Sequence, residues 1–216
     1  NFLTGADRNL IIENNLKNEN DLLIFDDGLQ DKKASYDIQF VCFNEDNWIG
    51  NGQLIPSGPL REKLSSLKKY DAVFIKKEKN NKKLNHIHEV IKEINPNIKI
   101  FNTEYIVTNL NEFDLSKEYI IFSGIGSPNS FKDILIKKNF KIVNEIIYHD
   151  HFNYSEKNLK FIQDKAKDNN ADIITTEKDF VKLSKFKYKN IKPLKVEINF
   201  LEEKSLINFI KSKLNE

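Results

Sequence analysis

Short apolar runs closed by turn-forming residues alternate along this chain with stretches whose apolar positions recur at helical spacing. The first pattern predicts strands over 22–25, 36–43, 72–75, 97–102, 118–123, 142–148, 172–175 and 193–200. The second predicts helices over 7–16, with Asp7 as its cap, and over 84–94, 130–138 and 201–214. Further helices are expected after Ser155, carrying Leu159, Phe161 and Ile162, and after Thr176, carrying Val181 and Leu183. Pro59, at or near a first helical position, predicts one more, with Leu60, Leu64 and Leu67 at helical spacing. Strand, helix and strand in this rhythm predict an α/β fold with a mainly parallel sheet. The polar stretch 103–117 is the expected boundary between a first part, 1–110, and a smaller second α/β subdomain, 111–216.

The most pointed chemistry lies in DLLIFDDGLQ, Asp21 to Gln30, where an apolar run meets two carboxylates and a glycine. A buried parallel strand delivers its last residues to the carboxyl edge of the sheet, where open α/β sheets bind ligands. Asp26 and Asp27 would then stand in a crevice, with Gly28 permitting a sharp exit, in the shape of a Walker-B strand whose Asp holds magnesium. The competing reading is an ordinary Asp-Gly turn. Arg61 and Glu62 fall in the first turn of the helix expected after Pro59, where a Glu also serves as a partner for the helix dipole.

Residues 44–59 hold Gly50, Gly52, Gly58, Pro56 and Pro59, out of 7 glycines and 5 prolines in the chain. Trp48, Ile49, Leu54 and Ile55 lie among them, so the segment reads as a shaped loop and not a flexible linker. Gly124-Ile125-Gly126-Ser127-Pro128 makes a strand-to-helix turn of the kind that cradles phosphate, yet it lacks the third glycine of a dinucleotide fingerprint. No G-x-x-x-x-G-K-S/T loop and no G-x-S-x-G elbow occurs anywhere in the chain. His149-Asp150-His151 offers either two metal ligands without spaced partners or a histidine oriented by a carboxylate, the arrangement used in acid and base work. His86 and His88, two residues apart on a helix, do not share a face. Thr176 with Asp179 reads as a capping box.

Composition narrows the field modestly. At 216 residues the chain can bury a sizeable core, and 34 Lys and Arg against 32 Asp and Glu leave a formal charge of +2, which does not announce a nucleic-acid partner. The basic run Lys76, Lys77, Lys79, Lys82 and Lys83 reads as a solvated connector. The single cysteine, Cys42, is expected as a buried bystander within a strand, and no apolar run reaches the length of a membrane span. The chain begins at Asn1 and contains no methionine, from which a missing natural N-terminus is expected.

Five blocks, DDGLQ, GNGQLIPSGPLRE, FSGIGSPNSF, DHFNYS and TTEKDFVKL, follow one another in an order that resembles the tetraacyldisaccharide 4′-kinase family of lipid A biosynthesis. Members read close to DDGFQH, GNGxLLPAGPLRE, AGIGxPxxF, DHHxF and TTEKDxVKL. This chain departs at Leu29, Asp31, Phe152 and Tyr154. The resemblance implies a P-loop-kinase-like fold whose nucleotide-binding core continues through 1–110, with the part carrying the phosphate loop and base lying ahead of this region. It implies ATP and Mg2+ as cofactors, with Asp26, Asp27, Gly28, Gln30 and Glu62 at the nucleotide, and Asp26, Asp27 and Glu62 toward the metal. Asp150 and His151 would assist at the reacting centre. The implied substrate is an acylated glucosamine disaccharide lipid, met at the cytoplasmic face of the bacterial inner membrane by a peripheral enzyme that has no nucleic-acid partner. A non-catalytic nucleotide- or sugar-phosphate-binding α/β module is the alternative that these loops alone leave open. With the phosphate loop absent from the chain, 4′-kinase activity is not expected of residues 1–216 by themselves.

Overall fold

A computed structural model describes residues 8–16, 22–31, 33–78, 80–188 and 190–214. The chain divides into two compact units, one formed by 1–104 with 200–216 and the other by 105–199. The C-terminal segment, expected in the second subdomain, therefore returns to the first, because its helix carries the apolar residues that cover one face of the first sheet.

In the first unit α1 (Arg8–Leu16) precedes β1 (Phe40–Asn44), β2 (Ala72–Lys76), α2 (Asn81–Ile94) and β3 (Lys99–Val107). β1, β2 and β3 pair in parallel, and the sheet order is β1-β2-β3-β8, with β8 at Val196–Phe200. Alternation along β2 sends Val73 and Ile75 to one face, where Leu84, Ile87 and Ile91 of α2 meet them beside Leu67 and Ile98. Ala72 and Phe101 face the other way, toward Leu206, Phe209 and Ile210 of α6 (Glu203–Leu214). Helix α2 starts where the Asn80 side chain accepts the Lys83 N–H at 3.1 Å. The buried Glu45 carboxylate accepts the N–H groups of Glu78 at 2.6 Å and Asn80 at 3.1 Å, so it ties the ends of β1 and β2 together.

The second unit carries β4 (Glu118–Ser123), α3 (Pro128–Lys137), β5 (Lys141–Ile147), α4 (Glu156–Asp168), β6 (Asp172–Thr176), α5 (Glu177–Lys182) and β7 (Ile191–Leu194). Its strands lie in the order β5-β4-β6-β7, and every pairing is parallel. Tyr119 and Ile121 pack with Phe131 and Leu135 of α3, while Ile120 and Phe122 pack with Leu159 and Ile162 of α4. The fold class is thus the α/β class the sequence predicts, with helices on both faces of a parallel sheet.

Four local expectations fail for identifiable reasons. Residues 22–25 are not a strand: no neighbour pairs with them among the described residues, and Leu22 and Ile24 are 57% and 88% exposed. The segment after Pro59 is not an α-helix, because the Leu60 N–H bonds Gln53 O at 3.1 Å and its carbonyl accepts the Ile55 N–H at 2.9 Å, which holds it extended. A 3-10 helix follows only at Leu64–Lys69. The single strand expected over 193–200 is two, β7 and β8, in different sheets. Buried Asn109 interrupts it by donating to Pro193 O at 3.0 Å and accepting the Lys195 N–H at 2.9 Å. Cys42, expected to be buried, is exposed on the edge strand β1. Desolvation by neighbouring atoms, with the Asp26 carboxylate adding to it, still pushes its thiol pKa up. Asp7, expected as the cap of the first helix, lies outside the described residues.

Candidate functional site

In the first unit the acidic turn is built around Gly28. Its carbonyl accepts the Asp31 N–H at 3.0 Å and the Tyr36 hydroxyl at 3.1 Å. A Cβ on Gly28 would lie 3.1 Å from Tyr36 Oη and 3.2 Å from Phe25 Cβ, so the close approach of ring and backbone favours glycine. Asp27 adopts a left-handed backbone at φ 55°, a conformation that Asp tolerates better than most residues. Its carboxylate meets the Arg61 guanidinium.

Arg61 and Glu62 reach this turn from the far end of the shaped loop. Asn51 braces that loop by donating to Ser57 O at 2.8 Å and accepting the Gln53 N–H at 3.1 Å. Glu62 accepts from Gln30 Nε2 at 3.3 Å on one oxygen and from the Tyr70 hydroxyl at 3.0 Å on the other. Desolvation by itself raises the Glu62 pKa. Hydrogen bonds from Tyr70, Ser66 and Gln30, with the charge of Lys69, outweigh it and leave the carboxyl below its usual value. Desolvation and then Glu62 raise the Tyr70 phenol to about 12. The Asp27 carboxylate holds the Arg61 pKa up.

Asp27, Gly28, Gln30 and Glu62 therefore share one neighbourhood, and Asp26 adjoins it in sequence. The three carboxylates expected to share a metal do not form a group of three metal-competent side chains among the described residues. Arg61 engages Asp27, and Gln30 and Tyr70 engage Glu62, so the carboxylates are turned toward protein donors. All are hard oxygen donors, and Mg2+ usually takes only one or two protein carboxylates and completes its shell with water and phosphate. The residues present fit that ion.

Asp150 and His151 belong to the second unit. His151 has φ 59° and a side chain 78% exposed, with Nε2 3.7 Å from Asp150 Oδ2. Asp150 accepts from Lys178 Nζ at 3.0 Å and from the His151 N–H at 2.9 Å. Lys178 leads the influences that hold the Asp150 carboxyl below its usual pKa. The helix start at Ser155 is closed by Asn158, so His151 is not needed as its cap.

Beneath these residues lies a constellation that the sequence reading reduced to a capping box. Asp179 is fully buried and accepts the Gly124 N–H at 2.8 Å and the Thr176 hydroxyl at 2.9 Å, while Lys182 Nζ sits 2.9 Å from its other oxygen. The first amide of the glycine turn is thus committed to a protein carboxylate and not offered to a phosphate. Burial, and then Asp179, push the pKa of the nearby Tyr154 hydroxyl up, although no hydrogen bond closes at that oxygen among the described residues. Nothing in the sequence pairs Arg61 or Tyr70 with the acidic residues either. Tyr70 carries no motif signal, and its relation to Glu62 is made by the 3-10 turn between them.

A family model described as tetraacyldisaccharide-1-P 4′-kinase matches residues 2–215. The tetraacyldisaccharide 4′-kinase of Pelagibacter ubique is 46% identical over 196 residues, which cover 91% of this chain and 62% of that protein. The chain belongs to the tetraacyldisaccharide 4′-kinase family. The family member from Rickettsia canadensis is 37% identical over 191 residues, covering 85% of this chain and 56% of that protein. The chain thus spans less than two thirds of the length of these relatives. A crystal structure of LpxK from Aquifex aeolicus, in complex with ATP, matches with a TM-score of 0.59 at 22% identity, over 87% of this chain and 56% of that one. That likeness shows the fold. No helix among the described residues is long and apolar enough to cross a membrane.

Proposed function

We propose that this chain supplies the acidic side of the nucleotide site in a kinase that moves the γ-phosphoryl group of ATP to the 4′-hydroxyl of tetraacyldisaccharide 1-phosphate. The observation that carries the reading is the meeting of two separate family blocks: Asp27 with Arg61, and Gln30 with Glu62. In a phosphoryl transfer the protein's work is positioning and charge neutralisation. Asp26, Asp27 and Glu62 would hold Mg2+, which when bound would neutralise phosphate charge. Arg61, paired with Asp27, would meet phosphate oxygens by its planar fork. The unit 1–104 with 200–216 continues the nucleotide-binding core, and 105–199 form the smaller subdomain. There the exposed His151, beside Asp150, positions or deprotonates the sugar hydroxyl. The enzyme works at the cytoplasmic face of the inner membrane as a peripheral protein on a lipid substrate.

The test uses the protein at the length of its relatives, labelled ATP, Mg2+ and the tetraacylated disaccharide 1-phosphate in mixed micelles. Label should appear on the lipid, and Glu62→Gln and Asp27→Asn should each cut the rate at least ~10²-fold, as loss of a transition-state contact does. Absence of labelled lipid, or full rate in both variants, would overturn the reading.

A further inference from the structure

The Glu62 carboxylate sits on a segment that no regular element holds. Residues 61–63 lie between the extended pairing of Leu60 and the 3-10 helix Leu64–Lys69, so no helix or strand sets the side-chain direction. Besides the Ser66 hydroxyl of that 3-10 helix, two side chains fix it, one on each oxygen. Gln30, from the acidic turn, donates to Oε1 at 3.3 Å, and Tyr70 donates to Oε2 at 3.0 Å. Tyr70 is the better anchored of the two. Its ring packs against the core cluster of Leu67, Val73, Ile75 and Ile91, and its N–H closes the 3-10 helix on Leu67 O at 3.3 Å. An aromatic side chain whose body is set in a core and whose hydroxyl reaches out is a rigid strut with few rotamers to lose.

We infer that Tyr70 is a positioning residue that aims Glu62 at the Mg-nucleotide, coupling the site to the core of the first unit through one hydrogen bond. The inference rests on the kinase reading for the identity of the ligand, but the coupling itself does not. Partners that orient a metal-binding carboxylate typically matter 10- to 100-fold in metal affinity or activity. Tyr70→Phe keeps the ring in the cluster and removes only the strut's tip.

Two measurements on the full-length protein test this. The first is Mn2+ binding in the presence of a non-hydrolysable ATP analogue, followed by the paramagnetic signal of free Mn2+. Tyr70→Phe should weaken binding at least about 10-fold at an unchanged melting temperature, and should add nothing in a Glu62→Gln background, since residues that act through one another are not additive. Wild-type binding by Tyr70→Phe, or an equal loss in both backgrounds, overturns the inference. The second is the carbon-13 resonance of Tyr70 Cζ at neutral pH, which needs neither substrate nor metal and does not depend on Tyr70→Phe folding. Glu62→Gln should move that resonance, because the phenol no longer donates to an anion, and an unmoved resonance overturns the inference. If wild type binds Mn2+ and nucleotide with this coupling yet transfers no phosphate to the lipid, the kinase reading fails while the role of Tyr70 stands.

Discussion

Replacing Asp179 with alanine removes three partners at once from a site sealed off from water. The Gly124 N–H loses the acceptor at 2.8 Å, the Thr176 hydroxyl loses the one at 2.9 Å, and Lys182 loses its counter-charge. Breaking a buried ion pair from one side costs about 3–5 kcal/mol, which already includes groups left without partners. The Lys182 side chain keeps 24% of its surface exposed and can turn to solvent, so the lower end applies, about 3 kcal/mol. For a chain of this size 1 kcal/mol shifts the melting temperature by about 2–4 °C, so Asp179→Ala should melt ~6–12 °C below wild type. Asp179→Asn, which keeps an acceptor for Gly124 or Thr176, should lose about half as much by the same hydrogen-bond accounting. Differential scanning calorimetry gives the shifts, and hydrogen exchange should show the amides around Gly124 opening first. A melting temperature for Asp179→Ala within about 2 °C of wild type would refute the claim that this carboxylate pins the turn.

Three further outcomes follow from the geometry. His151→Ala should lower phosphate transfer by about 10²–10⁴-fold and leave the melting temperature unchanged, because the side chain is exposed and caps nothing. Turnover at the wild-type rate would remove His151 from the reacting centre. Gly58→Ala should destabilise the shaped loop by about 1–3 kcal/mol in urea unfolding, because its Cβ would run into Asn51 Oδ1 and the Gln53 carbonyl; wild-type stability would show the loop to be compliant. Tyr70 holds its proton to about 12 in the folded protein, against about 10 when unfolded. Its contribution to stability is therefore complete below pH 10 and is lost as pH rises through 12, so Tyr70→Phe should flatten the alkaline limb of the stability curve, and an unaltered limb would contradict the sign.

Much of this architecture is written locally. The apolar stretches 72–75 and 118–123 become parallel strands because runs buried on both faces have no other stable home, and Ser155 and Thr176 start helices where their hydroxyls meet free N–H groups. The family, too, was legible, since five short blocks in order carry more information than any one of them. Other features were beyond the sequence because they depend on partners distant along the chain. Residues 22–25 have the composition of a strand, but a strand exists only where a neighbour takes its hydrogen bonds. Leu60, Leu64 and Leu67 have helical spacing, yet pairing with 53–55 claims the Leu60 backbone first. Buried Asn109 divides one apolar run between two sheets. The same holds for the chemistry. Sequence supplied Asp27, Glu62 and Asp179 as residue types, whereas Tyr70 reached Glu62 only through the 3-10 turn between them, and Arg61 and Gly124 became partners of Asp27 and Asp179 only when folding brought distant segments within hydrogen-bond reach, because such a bond is decided over a few ångströms in space and leaves no spacing along the chain to read.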